Sequence, residues 1–323
     1  MRRSHRRARH VSAIRAAVSA NPVERRPLGN TGQFVAVLGF GGMELRDADH
    51  PGARPVDADQ ADRLLNLAID GGVDFIDTSP DYGRSEATIG RAVAARRDEV
   101  FLASKCGCPM HSPGVHPRDA EHDFTRANIA IVLERTLKRL QTDHVDLLQF
   151  HTSPARSVLE RDGAIETLIE LRNQGKIRFI GSSSTIPNVD DHLSMGVFDA
   201  VQVPYSALKP EHSDVIARAH RSGVGVIVRG GVARGEPAVG HGSAEVWSRW
   251  AALRLDELLD GESRTGFMLR FTITNPAIAT TIVGTLSNDH LTQNLAAAQR
   301  GPLPTDTYVE AARRLGVAVS NQP

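Results

Sequence analysis

The sequence predicts a single-domain α/β fold, a (β/α)8 barrel of the TIM type, and three observations carry that prediction. Eight short apolar runs alternate with segments whose apolar residues recur at helical spacing; the runs lie at residues 34–40, 73–76, 100–104, 145–150, 177–180, 200–203, 225–228 and 281–283. Enough chain separates each run from the next for a helical crossover, which parallel strands require. Eight such units close a barrel, and 323 residues suffice for the roughly 250 that such a barrel takes. An open Rossmann sheet is disfavoured, because no Gly-x-Gly-x-x-Gly follows any run; the nearest match, residues 223–228, lacks the third glycine.

Taken in order, residues 27–32 (Pro-Leu-Gly-Asn-Thr-Gly) read as the turn of a short hairpin ahead of the barrel. Residues 34–40 form the first buried strand, stopped by Gly41-Gly42. A helix at 57–70 takes Asp57 as N-cap, places Ala61, Leu64, Leu65 and Ala68 on one face and closes at Gly71-Gly72. The strand at 73–76 delivers Asp77, a helix follows at 86–95, and the strand at 100–104 delivers Lys105. Residues 106–123, with proline, histidine and glycine, form a long loop. Thr125 opens a helix to Leu140, and the strand at 145–150 leads to His151. A helix at 164–173 stops before Gly175, and the strand at 177–180 leads into Gly181-Ser182-Ser183-Ser184. A helix at 187–193 precedes the strand at 200–203, which contains Gln202. A helix at 212–221 and the strand at 225–228 lead to Arg229. The last unit has a helix at 264–272, a strand at 281–283 before Gly284-Thr285, and a helix at 289–298. Residues 305–315 read as a final C-terminal helix.

Composition bounds the partners. Apolar residues make up 41% and charged residues 24%, which suits a packed core, and the formal net charge is +0, giving no general attraction to nucleic acid or membrane. Residues 1–22 alone are biased: they carry Arg2, Arg3, Arg6, Arg7, Arg9 and Arg15, no acid precedes Glu24, and no apolar signal core is present. They are read as a disordered basic extension to a barrel domain at 23–323. The two cysteines, Cys106 and Cys108, exclude a disulfide framework and fit a reducing cytoplasm. No apolar run reaches 18 residues, so no membrane span is expected.

In a closed parallel barrel the carboxyl ends of the strands meet at one mouth, which carries the active site. Asp77, Lys105, His151, Ser183, Gln202, Arg229 and Thr285 all fall at such ends. Residues 75–86 add a tyrosine, Tyr82, mounted just past a strand end and a proline. A tyrosine works as a proton donor near neutrality when a cation or ordered partner draws its pKa down from about 10. Lysine is scarce: of 38 basic residues only Lys105, Lys138, Lys176 and Lys209 are lysine. A lysine at a strand end in so arginine-rich a chain suggests a need for a compact ammonium.

Asp77, Tyr82, Lys105 and His151, on three consecutive strand ends, resemble the catalytic tetrad of the aldo-keto reductase superfamily. The resemblance runs through Pro27-Leu-Gly-Asn-Thr-Gly and Leu38-Gly-Phe-Gly, Asp77-Thr-Ser-Pro-Asp-Tyr-Gly-Arg-Ser-Glu, Gly181-Ser-Ser-Ser, Gln202-Val-Pro-Tyr-Ser, Ile282-Val-Gly-Thr and His290-Leu-Thr-Gln-Asn, in family order over about residues 23–300. It implies reduction of a carbonyl by hydride from a nicotinamide, or the reverse oxidation of an alcohol or sugar, on a small-molecule substrate. Tyr82 would donate the proton, Lys105 paired with Asp77 would favour its phenolate, and His151 would donate a hydrogen bond to the substrate oxygen. The resemblance also assigns Ser183, Ser184 and Gln202 to the nicotinamide carboxamide, with Ser184 where asparagine is common. Arg229 stands where many members stack an aromatic on the ring, and Gly284, Thr285, His290 and Asn294 would hold the adenosine end. NADP(H) is the implied cofactor, with NAD(H) open because His290 and Gly284 replace basic residues that some members place on the 2′-phosphate.

Two other functions share these residues: a slow-turnover NADP(H)-binding regulatory subunit, and a lyase that uses Lys105 as a Schiff-base amine. Cys106-Gly-Cys108 with His111 and His116 offers metal donors, but one-residue spacing departs from structural zinc patterns, so no metal is expected and the loop is read as a wall of the substrate pocket. Trp247 and Trp250, three apart, are either a local packing pair or part of a lid over the cofactor.

Overall fold

The computed structural model describes residues 22–46, 54–109, 121–237 and 239–317. The basic segment 1–21 and the histidines His111 and His116 lie outside them. Eight parallel strands form the closed barrel: β3 (Leu38–Gly41), β4 (Phe75–Asp77), β5 (Phe101–Cys106), β6 (Val145–Phe150), β7 (Ile177–Ser183), β8 (Ala200–Pro204), β9 (Gly225–Arg229) and β10 (Thr280–Val283). β10 closes on β3 through Thr281 opposite Leu38 and Val283 opposite Phe40.

A two-stranded antiparallel hairpin, β1 (Arg25–Pro27) and β2 (Phe34–Ala36), precedes the barrel. The apolar run at 34–40 is therefore not one strand. It serves two sheets, with Val37 between them taking a backbone bond from Thr281 and giving one to Glu24. A continuous apolar run carries no mark of where one sheet ends and the next begins. Leu28 and Val35 of the hairpin are buried among Phe75, Phe101, Leu147 and Ile227, so the hairpin plugs the barrel interior. Arg26 fastens it by donating to the carbonyls of Ile273, Asn275 and Ile278. Gly29, at φ +53°, sits so close that a Cβ would lie 2.4 Å from the Gly223 carbonyl oxygen.

The helices are α1 (Ala58–Asp70), α2 (Ser85–Val93), α3 (Arg126–Leu140), α4 (Arg156–Arg161), α5 (Ala164–Asn173), α6 (Asn188–Met195), α7 (Ser213–Arg221), α8 (Ala244–Ala252), α9 (Arg264–Thr274), α10 (Asn288–Arg300) and α11 (Thr305–Leu315). Asp57, Thr125, Ser263 and Ser287 cap four of them, each side-chain oxygen accepting an amide of the first turn. α4 escapes sequence reading because only Leu159 of it is buried, which leaves no apolar stripe. Several strands run further than their apolar cores: β5 includes Lys105 and Cys106, and β7 includes Gly181 to Ser183. These polar extensions bring candidate site residues to the mouth. No helix of the described residues is long and apolar enough to cross a membrane.

Candidate active site

β4 is three buried residues long and ends on Asp77, whose carboxylate is held on both oxygens. Lys105 Nζ donates to Oδ2 at 2.7 Å, while the amides of Gln149 and Gln202 donate to Oδ1 at 3.1 and 2.8 Å. Lys105 also donates to the Thr78 carbonyl at 2.8 Å. With side-chain exposures of 1% and 3%, this ion pair is fully desolvated. Burial pulls the Lys105 ammonium down, but Asp77 and Tyr82 together outweigh it and raise the pKa above its ordinary value. Lys105 is held as a cation.

Tyr82 follows through a turn in which its amide donates to the Ser79 carbonyl and its own carbonyl accepts from Ser85. The Lys105 Nζ lies 5.1 Å from the centroid of its ring, and His151 meets the ring edge-on at 6.0 Å. Burial raises the Tyr82 hydroxyl, and Lys105 and Arg229 act in the opposite direction without cancelling it. The expected net lowering is thus corrected: Lys105 does favour the phenolate, but desolvation is larger, and the hydroxyl keeps its proton at neutral pH.

His151 stands in a polar cluster that the sequence did not disclose. Its Nδ1 lies 3.1 Å from Asp81 Oδ2, and His122 Nε2 lies 3.0 Å from the same oxygen. Cys108 Sγ and His122 Nε2 are each 3.4 Å from His151 Nδ1. Burial pulls His151 below its ordinary pKa, more than Asp81 raises it, so the imidazole is neutral near pH 7. Burial works against the Asp81 carboxylate, yet its bonds to the two histidines prevail and hold it well below the usual range. An ionised carboxylate only accepts, so Nδ1–H of His151 donates to Asp81; the lone pair then falls on Nε2, and the hydrogen bond to the substrate oxygen expected of this ring needs the other tautomer.

A cavity of about 1020 Å³ opens at this mouth. Asp77, Tyr82, His151, Ser183, Gln202, Arg229, Gly284, Thr285, His290 and Asn294 all line it. Two candidates stand behind the wall. Lys105 reaches it only through Asp77 and Tyr82, and Ser184 is fully buried with its Oγ 2.7 Å from that of Ser153, which does line the cavity. Ser183 donates to the Gln202 amide oxygen at 3.2 Å. Sequence reading missed Gln149, which holds Asp77; its signal is a lone amide inside the apolar run of β6. It also missed Glu44, Arg46 and Arg54, which come from the segment between β3 and α1 and line the cavity.

The site fits an elongated nucleotide cofactor. Its volume is at the upper end of about 300–1,000 Å³ for small-molecule sites. Ser183 and Gln202 offer a hydroxyl and an amide suited to a carboxamide. Gly41 and Gly284 lie so close that a Cβ on Gly284 would come 2.8 Å from the Gly41 carbonyl oxygen, and Gly284 and Thr285 lead into the Ser287-capped start of α10. The two tryptophans take the packing role. Their rings are buried 5.7 Å apart, Trp250 stands edge-on to Phe267 and donates to Asp256, and neither lines the cavity.

Comparisons with known proteins identify the family and the fold. A sequence model described as the Aldo/keto reductase family matches residues 37–312. The L-galactose dehydrogenase of Arabidopsis thaliana is 29% identical over 293 residues, which is 85% of this chain and 88% of that protein. A Bacillus subtilis protein called uncharacterized oxidoreductase YqkF is 27% identical over 297 residues, covering 85% of this chain and 91% of its own. Among solved structures, the holo form of aldo-keto reductase AKR11C1 from Bacillus halodurans superposes with a TM-score of 0.80 at 27% identity, covering 93% of this chain and 99% of that one.

Proposed function

We propose that this chain, which belongs to the aldo/keto reductase family, reduces the carbonyl of a small aldehyde, ketone or sugar with Tyr82 as proton donor. The observation that carries the reading is the contact between the buried Lys105–Asp77 pair and Tyr82, at 2.7 Å between the charges and 5.1 Å from ammonium to ring. A bound nicotinamide, NADPH in preference to NADH on the family's usage, supplies the hydride.

The chain's own residues do the rest. Ser183, Gln202 and Arg229 would hold the nicotinamide end, with Ser184 behind them. Gly284, Thr285, His290 and Asn294 would hold the adenosine end. As negative charge grows on the substrate oxygen, Tyr82 O–H delivers its proton, and the Lys105 ammonium stabilises the phenolate left behind. Asp77 keeps that ammonium charged and aimed. His151, on the cavity wall beside Tyr82, would face the carbonyl.

The same residues run the reverse reaction on a sugar hydroxyl, and the name L-galactose dehydrogenase on one relative supports including aldoses among the substrates tested. A Schiff-base role for Lys105 is disfavoured, since an ammonium held by Asp77 is not nucleophilic. The test follows absorbance of NADPH and NADH with a panel of aldehydes, ketones and aldoses. Oxidation of either cofactor coupled to alcohol formation is the expected result. Tight cofactor binding with no turnover across the panel would instead favour a binding or regulatory subunit.

A further inference from the structure

The cluster beside His151 brings together four side chains that can each act as a metal ligand. Asp81, Cys108, His122 and His151 each present one ligand atom, and all four atoms lie within 4.8 Å of one another. The measured separations are 3.0 and 3.1 Å from Asp81 Oδ2 to the two imidazoles, and 3.4 Å from His151 to both Cys108 and His122. Zinc bonds of about 2.0–2.3 Å in a tetrahedron place neighbouring ligands roughly 3.3–3.7 Å apart. Four of the six donor pairs thus stand within a few tenths of an ångström of that spacing, and all six lie within 4.8 Å. One thiol, two imidazoles and one carboxylate are also donors that zinc takes in preference to magnesium or calcium.

The surroundings hold these donors in place. Asn128 donates to the carbonyls of Cys108 and Asp123, 3.0 and 2.6 Å away, and the Asp123 amide donates to the Gly107 carbonyl. These bonds tie the two ends of the loop together, which sets Cys108 beside His122. Ser79 Oγ lies 3.4 Å from Cys108 Sγ and accepts the Asp81 backbone amide, so it touches one ligand atom and the backbone that carries a second ligand. Meanwhile Asp81 Oδ1 is buried without a partner, so the convergence is on one point and not on the carboxylate as a whole.

We propose that Asp81, Cys108, His122 and His151 bind one zinc ion, and that the ion sets the tautomer of His151. Binding replaces the thiol proton of Cys108, which leaves to solvent, with a sulfur–zinc bond. At His151 the ion takes the Nδ1 lone pair, and the ring proton moves to Nε2. A histidine that otherwise gives its proton to Asp81 then carries a donor on its second nitrogen. This consequence rests on the reductase reading, in which His151 faces the carbonyl oxygen; the binding itself does not.

The test uses tag-free full-length chain, stripped with a chelator and dialysed against zinc, with metal measured by atomic emission. One zinc per chain is expected, with at least a tenfold loss of affinity in Cys108→Ser and in His122→Gln. Cobalt(II) in place of zinc should give tetrahedral visible bands and a sulfur-to-cobalt charge-transfer band in the unsubstituted chain, a readout that depends on no variant folding. Substoichiometric uptake, cobalt spectra without the sulfur band, or uptake unchanged in both Cys108→Ser and His122→Gln would overturn the site. A chain that reduces carbonyls yet takes up no metal defeats this inference alone. One that binds the metal through these residues yet reduces nothing leaves the site standing and defeats the reductase reading.

Discussion

Tyr82 is poised between two opposing effects: a cation close enough to stabilise its phenolate, and a burial that resists any charge. In the proposed reaction the Lys105–Asp77 pair tips that contest during proton transfer, and it is buried enough to matter for the fold as well. Replacing Lys105 by Met leaves the Asp77 carboxylate with amide partners only, and breaking a buried pair by removing one member costs about 3–5 kcal/mol. Urea unfolding of Lys105→Met should show a loss of that size; a midpoint equal to the parent would mean that the pair is not desolvated in solution. A second residue reports on pH. His192 is fully buried, its Nδ1 2.8 Å from Ser182 Oγ and its Nε2 2.9 Å from the Pro154 carbonyl oxygen, so the neutral ring is satisfied at both nitrogens. Burial lowers its pKa in the fold, with the unfolded value near 6.5. Below about 6.5 the unfolded chain binds the proton first, so this contribution is complete above that pH and is lost as pH falls through the lower folded value. His151 and His212 shift the same way. The urea midpoint should fall as pH drops below about 6.5, and its slope should flatten in His192→Gln.

Among the elements, β5 and the loop it feeds show what the sequence could and could not disclose. Strand ends were legible, because apolar runs of strand length mark them and parallel topology sends them all to one mouth. Hence Asp77, Lys105, His151, Gln202 and Arg229 could be gathered from the text alone. The partnership of Cys108 with His122 could not, since it depends on how the loop closes; the nearer-looking candidates, His111 and His116, lie outside the described residues. Gly107 makes that closure possible. Its φ is +83°, and a Cβ there would lie 2.1 Å from Phe124 Cε1. Gly107→Ala should cost more than the ~1 kcal/mol of left-handed strain, because Phe124 must also move. Thermal unfolding checks the cost; an unchanged midpoint would mean that the loop adopts another path. The split of residues 34–40 between hairpin and barrel was hidden for a different reason. Both parts are apolar, and pairing partners far away in sequence, not composition, decide where one sheet ends.

At the scale of the whole molecule, the barrel separates stability from chemistry. The hairpin plugs the amino end, and α11 packs against the outer helices, where Tyr308 meets Phe271 at a centroid distance of 5.0 Å. Neither Tyr308 nor Phe271 lines the cavity. Tyr308→Ala should therefore destabilise by about 3–5 kcal/mol, as large aromatic truncations do, while leaving kcat at 25 °C unchanged. A large fall in kcat at full folding would mean that α11 couples to the mouth. The central claim concerns that mouth: Tyr82 carries the proton in a nicotinamide-dependent reduction. Its most direct test is a single-turnover measurement of NADPH oxidation, with a substrate found active, in the parent chain and in Tyr82→Phe, alongside cofactor binding by fluorescence quenching. Hydride transfer slowed about 10²–10⁴-fold with NADPH affinity unchanged is the result predicted here. An equal transfer rate in the two proteins would contradict it.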